Sequence, residues 1–260
     1  MTQATDKLDP ARAQALWTVL GQPDAISPHL PPFFHHIYFW DVQPAPALGR
    51  DGHPKVGGVI PDMGFPRRMW AGGRLTFHAP VTLGHAAQKA TRCTQAAQKV
   101  GRAGPLGLVT LEHQIEQDGQ LCVSEEQDLV YLPDRDPHAG QPSPPKAPEG
   151  DVIARLGFDQ TTLFRYSALT FNGHRIHYDV DYARDVEGYR GLVVHGPLLA
   201  QHLILAAQSA LGPLEAFEFR ATAPLIAGET ADLVTDGSGS FWVAGPDGRQ
   251  CMTATATPAA

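Results

Sequence analysis

Two stretches of the C-terminal half carry side chains fit for proton chemistry. "FNGHRIHYDV" (Phe171–Val180) crowds Asn172, His174, His177 and Asp179 together, and "GLVVHGPLLAQHL" (Gly191–Leu203) sets His195 and Gly196 before an apolar run. Histidine titrates near neutrality without help, which makes His177 a candidate general acid/base. Asn172 donates and accepts hydrogen bonds but cannot take a proton. Asp179 lies two residues past His177, facing the same way if the segment is extended, and could orient the imidazole. His174 and His177 would meet a metal on one helical face, but no Cys or Glu completes a ligand set, so no metal is expected. The plain alternative for His177 is a hydrogen-bonded core or surface histidine.

Gly196 and Pro197 open what reads as a helix. A helix N-terminus presents unpaired N–H groups and a partial positive charge, and glycine lets a ligand approach the backbone. Such a place is a ready oxyanion hole. A carbonyl held there beside a histidine suits proton chemistry alpha to a thioester. The alternative is that Gly196 only relieves crowding at a helix start.

The elements that must position these residues follow from patterning. "PLLAQHLILAAQSAL" (Pro197–Leu211) predicts a nearly all-apolar helix that must be wrapped on most sides, closed by Gly212. "ARAQALWTVL" and "TTLFRYSALT" predict helices, "DYARDVEGY" a short one, and "LPPFFHHIYFW" a Pro-initiated helix or buried segment. Alternation predicts strands from Leu75 to Leu132 and again over the last quarter. The Gly/Pro-rich segment from Gln43 to Arg74 predicts an irregular excursion, of a length that is more often functional than not. "LPDRDPHAGQPSPPKAPEGD" holds six prolines and two glycines and predicts a linker. The chain thus divides into 1–132, a linker at 133–151, and 152–260. A faint echo, Pro80/Gly84 against Pro224/Gly228, suggests two copies of a strand-rich unit, the second with its central helix intact.

Bulk properties narrow the class. Of 260 residues, 43% are hydrophobic and 18% charged, enough for a large core. A net charge of −7 without a Lys/Arg cluster argues against a nucleic-acid or anionic-membrane role. Three scattered cysteines, no apolar run near membrane-span length and a polar N-terminus predict a soluble cytoplasmic protein.

The run from Phe164 to Gln201 resembles the hydratase motif of MaoC-like, hot-dog-fold enoyl-thioester hydratases, through "FRYSALT", "NGHRIH" and "GYRGLVVHG". Nearly the whole chain resembles one branch of them. This is the double hot-dog group akin to mitochondrial 3-hydroxyacyl-thioester dehydratase type 2 and bacterial mesaconyl-C4-CoA and itaconyl-CoA hydratases. "FPRRMWAGGRLTFHAP", "EEQDLVYL", "RYSALTFNGHRIHYD" and "HGPLLA" carry that likeness.

The resemblance implies an α+β double hot-dog, two antiparallel sheets each wrapped on a central helix and free to merge into one. The N-terminal MaoC-like half would lack a catalytic loop and widen the acyl pocket. His177 falls on the family's catalytic histidine, and Gly196 on the residue whose N–H binds the thioester oxygen. The catalytic aspartate is replaced by Asn172, and the usual Asn and Pro of the loop by His174 and Arg175. His177 would then make the proton transfers while Asn172 positions water or hydroxyl. Asp179, His195 and Glu126 are fallback partners.

The implied activity is reversible addition of water to a 2-enoyl thioester, a short dicarboxylyl-CoA being favoured. The other readings are an (R)-3-hydroxyacyl-thioester dehydratase of fatty-acid metabolism and a non-catalytic acyl-thioester binding module. No cofactor is expected, because coenzyme A enters as part of the substrate. Arg67, Arg68, Arg175 and Arg190 are candidates for a terminal carboxylate or the CoA phosphates. "RRMWAGG", with Trp70 and Gly72, has the shape of a loop near a ligand or of a structural turn. A homodimer is expected.

Overall fold

Apolar–polar alternation makes most of the chain strand. The computed structural model describes residues 1–101, 104–135 and 143–260. The first half contributes β1 (Thr2–Asp6), α1 (Pro10–Val19), β2 (Arg67–Phe77), β3 (Ala87–Gly101), β4 (Gly104–Gln117) and β5 (Gln120–Leu132). The second contributes β6 (Asp151–Gly157), α2 (Gln160–Thr170), α3 (Gly196–Leu211), β7 (Leu214–Ala221), β8 (Thr230–Thr235), β9 (Ser240–Ala244) and β10 (Gln250–Pro258). Between them, 133–135 and 143–150 hold no helix or strand beyond one bridge from Lys146 to Arg249, while 136–142 of the Pro-rich run lie outside the described residues. No helix among the described residues is long and apolar enough to cross a membrane.

All ten strands join one antiparallel sheet in the order β1-β3-β4-β5-β2-β7-β10-β9-β8-β6. Read outward from the β2–β7 seam, both halves take the same path, and their corners match bond for bond. Gly84 N–H donates to Leu8 O at 2.9 Å and Gly228 N–H to Phe158 O at 2.8 Å, both glycines with positive φ (80° and 87°). Leu30 N–H donates to Val81 O and Val194 N–H to Leu225 O, each at 2.8 Å. The Pro80/Gly84 and Pro224/Gly228 echo therefore marks equivalent corners of a duplicated unit.

The "RRMWAGG" stretch is not a loop. It lies within β2, the first half's seam strand, with a bulge between Trp70 and Gly72. A Cβ on Gly72 would come within 2.6 Å of Phe219 O, and one on Gly73 within 2.8 Å of the Phe219 ring. Close approach of β7 across the seam is what requires glycine there. The irregular excursion is accordingly shorter than expected, ending where β2 begins at Arg67.

The halves differ over their inner face. In the second, α3 buries Leu198, Leu199, Ala200, Leu203, Ile204 and Ala207 against β7, β9 and β10. In the first, "LPPFFHHIYFW" yields only a 3-10 turn, Phe34–Ile37, entered through Phe33 at a left-handed φ of 69°. Pairing Leu30 with Val194 puts Pro32 where the second half has Gly196. The missing helix leaves a cavity of about 780 Å³ over β3, β4 and β5.

Candidate active site

The motif loop starts where α2 ends, at Phe171 in the left-handed conformation (φ 52°). Asn172 N–H donates to Ser167 O (2.9 Å), and Asn172 Oδ1 accepts from His174 N–H (2.9 Å), an Asx turn that leads into a 3-10 turn over Arg175–His177. The first half locks this loop in place. Arg175 N–H donates to Asp51 O (2.9 Å) and its guanidinium to Arg50 O (3.1 Å). Gly52 and Gly173 lie back to back: a Cβ on Gly52 would fall 2.0 Å from Gly173 O.

His177 is buried, 6% exposed, and its ring stacks on that of His195 with centroids 3.6 Å apart. Its Nδ1–H donates to Val193 O at 2.7 Å, which leaves the lone pair on Nε2. Burial pulls the imidazole pKa down to about 3, against the raising effect of the Val193 carbonyl, so the ring is a neutral acceptor at physiological pH. His195 is fully buried, its Nε2 bonded to Ser167 Oγ (2.8 Å), and serves as the platform under His177. Gly196 begins α3, and no hydrogen bond among the described residues uses its N–H. A Cβ there would meet Trp70 O only at 3.8 Å and Met252 Cε at 3.9 Å. Protein packing does not demand glycine, since a Cβ would sit there in ordinary van der Waals contact.

Other expected partners lie elsewhere. Asp179 binds the Arg175 guanidinium (3.0 and 2.7 Å) and the Tyr182 N–H, not His177, because the 3-10 turn breaks the extended spacing that would align them. Glu126 faces outward and pairs with Arg74 (2.6 Å). The buried carboxylate is Glu125, one residue earlier, since neighbours on a strand point to opposite faces. Of the four arginines, Arg67 pairs with Glu187 (2.6 Å), Arg175 with Asp179 and Arg190 with Glu229. Only Arg68 is without an ion pair among the described residues, and it lines the cavity. Trp70 lines it too, its ring beside His36 (4.9 Å) and its Nε1–H given to Gly72 O (2.9 Å).

The cavity runs from Asn172, Tyr166 and Pro197 of the second half to a floor on the first-half sheet, where Lys89, Thr91, His113 and Gln127 line it. Thr91, His113 and Glu125 are cross-strand neighbours on β3, β4 and β5. Thr91 Oγ–H donates to His113 Nδ1 (2.8 Å) and His113 Nε2–H to Gln127 Oε1 (3.2 Å), which leaves the Gln127 amide hydrogens without a partner among the described residues. Below them Glu125 binds His35 (2.7 Å) and His36 (3.1 Å). Burial would raise the Glu125 carboxyl, but those two imidazoles hold it well below the usual range. The carbonyls of Cys122 and Cys251 accept matching pairs of bonds, from His78 and Ala79 and from Thr222 and Ala223. By that match, Ala254 and Ala256 occupy the positions of Glu125 and Gln127 in the second half. The polar floor lies only under the cavity. Lys89, Glu125 and Gln127 were legible only through strand phase, which Leu129 and Tyr131 set.

The hydroxyacyl-thioester dehydratase type 2 family matches residues 33–227. The chain belongs to this family. It is 45% identical to mesaconyl-C(4)-CoA hydratase of Chloroflexus aurantiacus, over 94% of this chain and 89% of that protein. It is 27% identical to the mitochondrial hydroxyacyl-thioester dehydratase type 2 of Schizosaccharomyces pombe, over 85% and 82%. Among solved structures, HtdX of Mycobacterium tuberculosis superposes with a TM-score of 0.73 at 16% identity, covering 98% of this chain and 100% of that one. A second protein of that organism, described as a double hot-dog, gives 0.58 at 14% identity over 97% and 92%. These two speak for the fold alone. As a type 2 hydroxyacyl-thioester dehydratase the chain is a hydro-lyase acting on acyl thioesters.

Proposed function

We propose that the chain hydrates, reversibly, a short 2-enoyl-CoA whose acyl group ends in a carboxylate, mesaconyl-C4-CoA or itaconyl-CoA being the fitting examples. The observation that carries the reading is the buried His177, its Nε2 lone pair unused and its ring stacked on His195, the residue that precedes the unpaired Gly196 N–H at the mouth of α3. The thioester oxygen accepts from Gly196 N–H. Water attacks C3 and passes one proton to His177 Nε2 while the C2=C3 electron pair moves toward the thioester, and His177 then returns that proton to C2. Asn172, its Oδ1 already engaged, offers its amide hydrogens to the oxygen of water or product hydroxyl. An oxyanion donor of this kind contributes roughly 10²- to 10³-fold in rate, and acid/base help roughly 10² to 10⁴.

The acyl group is argued from the cavity floor. A long alkyl tail would strip water from Lys89 and the Gln127 amide without replacing those hydrogen bonds. A distal carboxylate would satisfy both. Lys89 makes no ion pair among the described residues, and burial lowers its pKa, Glu125 opposing. Exposed Val152 and Ile153 on the edge strand β6 support a homodimer, and three free cysteines a reducing compartment such as the cytoplasm.

Loss of enoyl absorbance with mesaconyl-C4-CoA, crotonyl-CoA and 2-decenoyl-CoA tests the reading. Highest kcat/KM on the first is expected. Preference for decenoyl-CoA would favour fatty-acid dehydration, and binding without turnover of any would favour a thioester-binding module. His177→Ala is expected to lower kcat by about 10²- to 10⁴-fold.

A further inference from the structure

We infer that His53, oriented by Asp51, is a second catalytic group of this site, its Nε2 accepting a hydrogen bond from the attacking water. The inference deepens the hydratase reading and rests on it.

Water brings two hydrogens, and the motif loop offers one ring nitrogen whose lone pair is fixed by a bond at the other nitrogen, His177 Nε2, while the His174 ring has no such orienting bond among the described residues. Asn172 Oδ1 is anchored by His174 N–H in the Asx turn with one lone pair left, and its amide nitrogen only donates, so a second basic nitrogen must come from elsewhere. The first half brings another imidazole to the same place. Asp51 Oδ2 accepts from His53 Nδ1–H and Asp51 Oδ1 from His53 N–H, both at 3.1 Å. This assigns His53 the tautomer that Val193 O assigns His177, with the lone pair on Nε2. No hydrogen bond among the described residues uses His53 Nε2, and His53 lines the cavity with Asn172. The His53 and His177 rings pack on one common ring, that of His174, at 4.7 and 5.4 Å. A turn that merely capped its own backbone would need only Asp51 Oδ1, whereas here the buried second oxygen orients an imidazole.

The proton inventory closes without a further reactant. As the O–C3 bond forms, one water O–H breaks toward His177 Nε2 and the C2=C3 pair moves into the enolate. The other O–H stays whole, its hydrogen held by His53 Nε2, and becomes the product hydroxyl. His177 then protonates C2. His53 begins and ends neutral, so protonating it removes the acceptor. Ligand atoms of Asp51, His53 and His174 lie within 4.8 Å of one another, close enough to hold a cation, but the Arg68 charge acts on the same group and opposes one.

The test uses the full chain and mesaconyl-C4-CoA. His53→Ala is expected to lose about 10²-fold in kcat with KM within a few-fold, and added imidazole to restore part of it. In Asp51→Asn, loss of the carboxylate's field lowers the His53 pKa, so the acid limb of kcat is expected to move about one pH unit lower. His53→Ala with kcat within threefold of the parent, while His177→Ala is inactive, would overturn the inference and leave the hydratase reading standing. Near-normal turnover of both variants would overturn the inference and remove His177 from the mechanism, whereas no turnover by the parent chain would remove the hydratase reading itself. If His53→Ala fails to fold, an unshifted acid limb in Asp51→Asn overturns the inference. So does activity lost to a chelator and regained with zinc.

Discussion

At the scale of single residues, the geometry makes Gly196 the cleanest target, because its amide hydrogen can be removed without touching a side chain. Proline is tolerated in the first turn of a helix. His195 already has the extended conformation (φ −59°, ψ 127°) that a residue before proline adopts. The first half carries Pro32 at the matched place. Gly196→Pro is therefore expected to keep its melting temperature within a few degrees while kcat falls roughly 10²- to 10³-fold. Steady-state kinetics and a thermal scan on one preparation check it. The candidates His177, Asn172 and Gly196 were legible in the sequence because their spacing is local. It did not display Asp51 and His53, which reach the site through a contact between Gly52 and Gly173, far apart in the chain.

At the scale of elements, helices and strands were legible wherever periodicity ran long, as in α3 and in β3 to β5. Two errors share one cause. "RRMWAGG" reads as a loop or turn, and Glu126 rather than Glu125 as a fallback partner, because glycine content and acidity show in the sequence more plainly than strand phase does. The phase is fixed by which neighbour a strand pairs with, here β7 for β2. Gly72 belongs to that pairing, and Gly72→Ala would press a methyl to within 2.6 Å of the Phe219 carbonyl. A loss of about 1–3 kcal/mol in stability is expected, read by denaturant unfolding.

At the scale of the whole molecule, several histidines are buried neutral. Burial pulls His177 to about 3, His113 and His202 to about 4, and the His174 and His195 pKa values down as well. Their folded pKa values lie below the unfolded value near 6.5, so under that pH the unfolded chain takes up protons that the native one refuses. Stability is fully present above about pH 6.5 and falls as pH drops, by about 1.4 kcal/mol per pH unit for each such group. Melting temperatures between pH 7.5 and 4.5 check this, a flat profile being contrary. The cavity itself belongs to this scale, since no short motif encodes a helix left out of one half. Lys89→Met is expected to raise KM for mesaconyl-C4-CoA at least tenfold and to leave crotonyl-CoA within a few-fold, as competition kinetics would show.

The seam between β2 and β7 carries one more consequence. Sever the backbone between residues 143 and 150, and each fragment would be left with a raw inner border whose unmet amides fit one mate alone. Co-expressed fragments should then find each other and recover turnover, whereas either by itself should precipitate, which makes the molecule a natural split reporter.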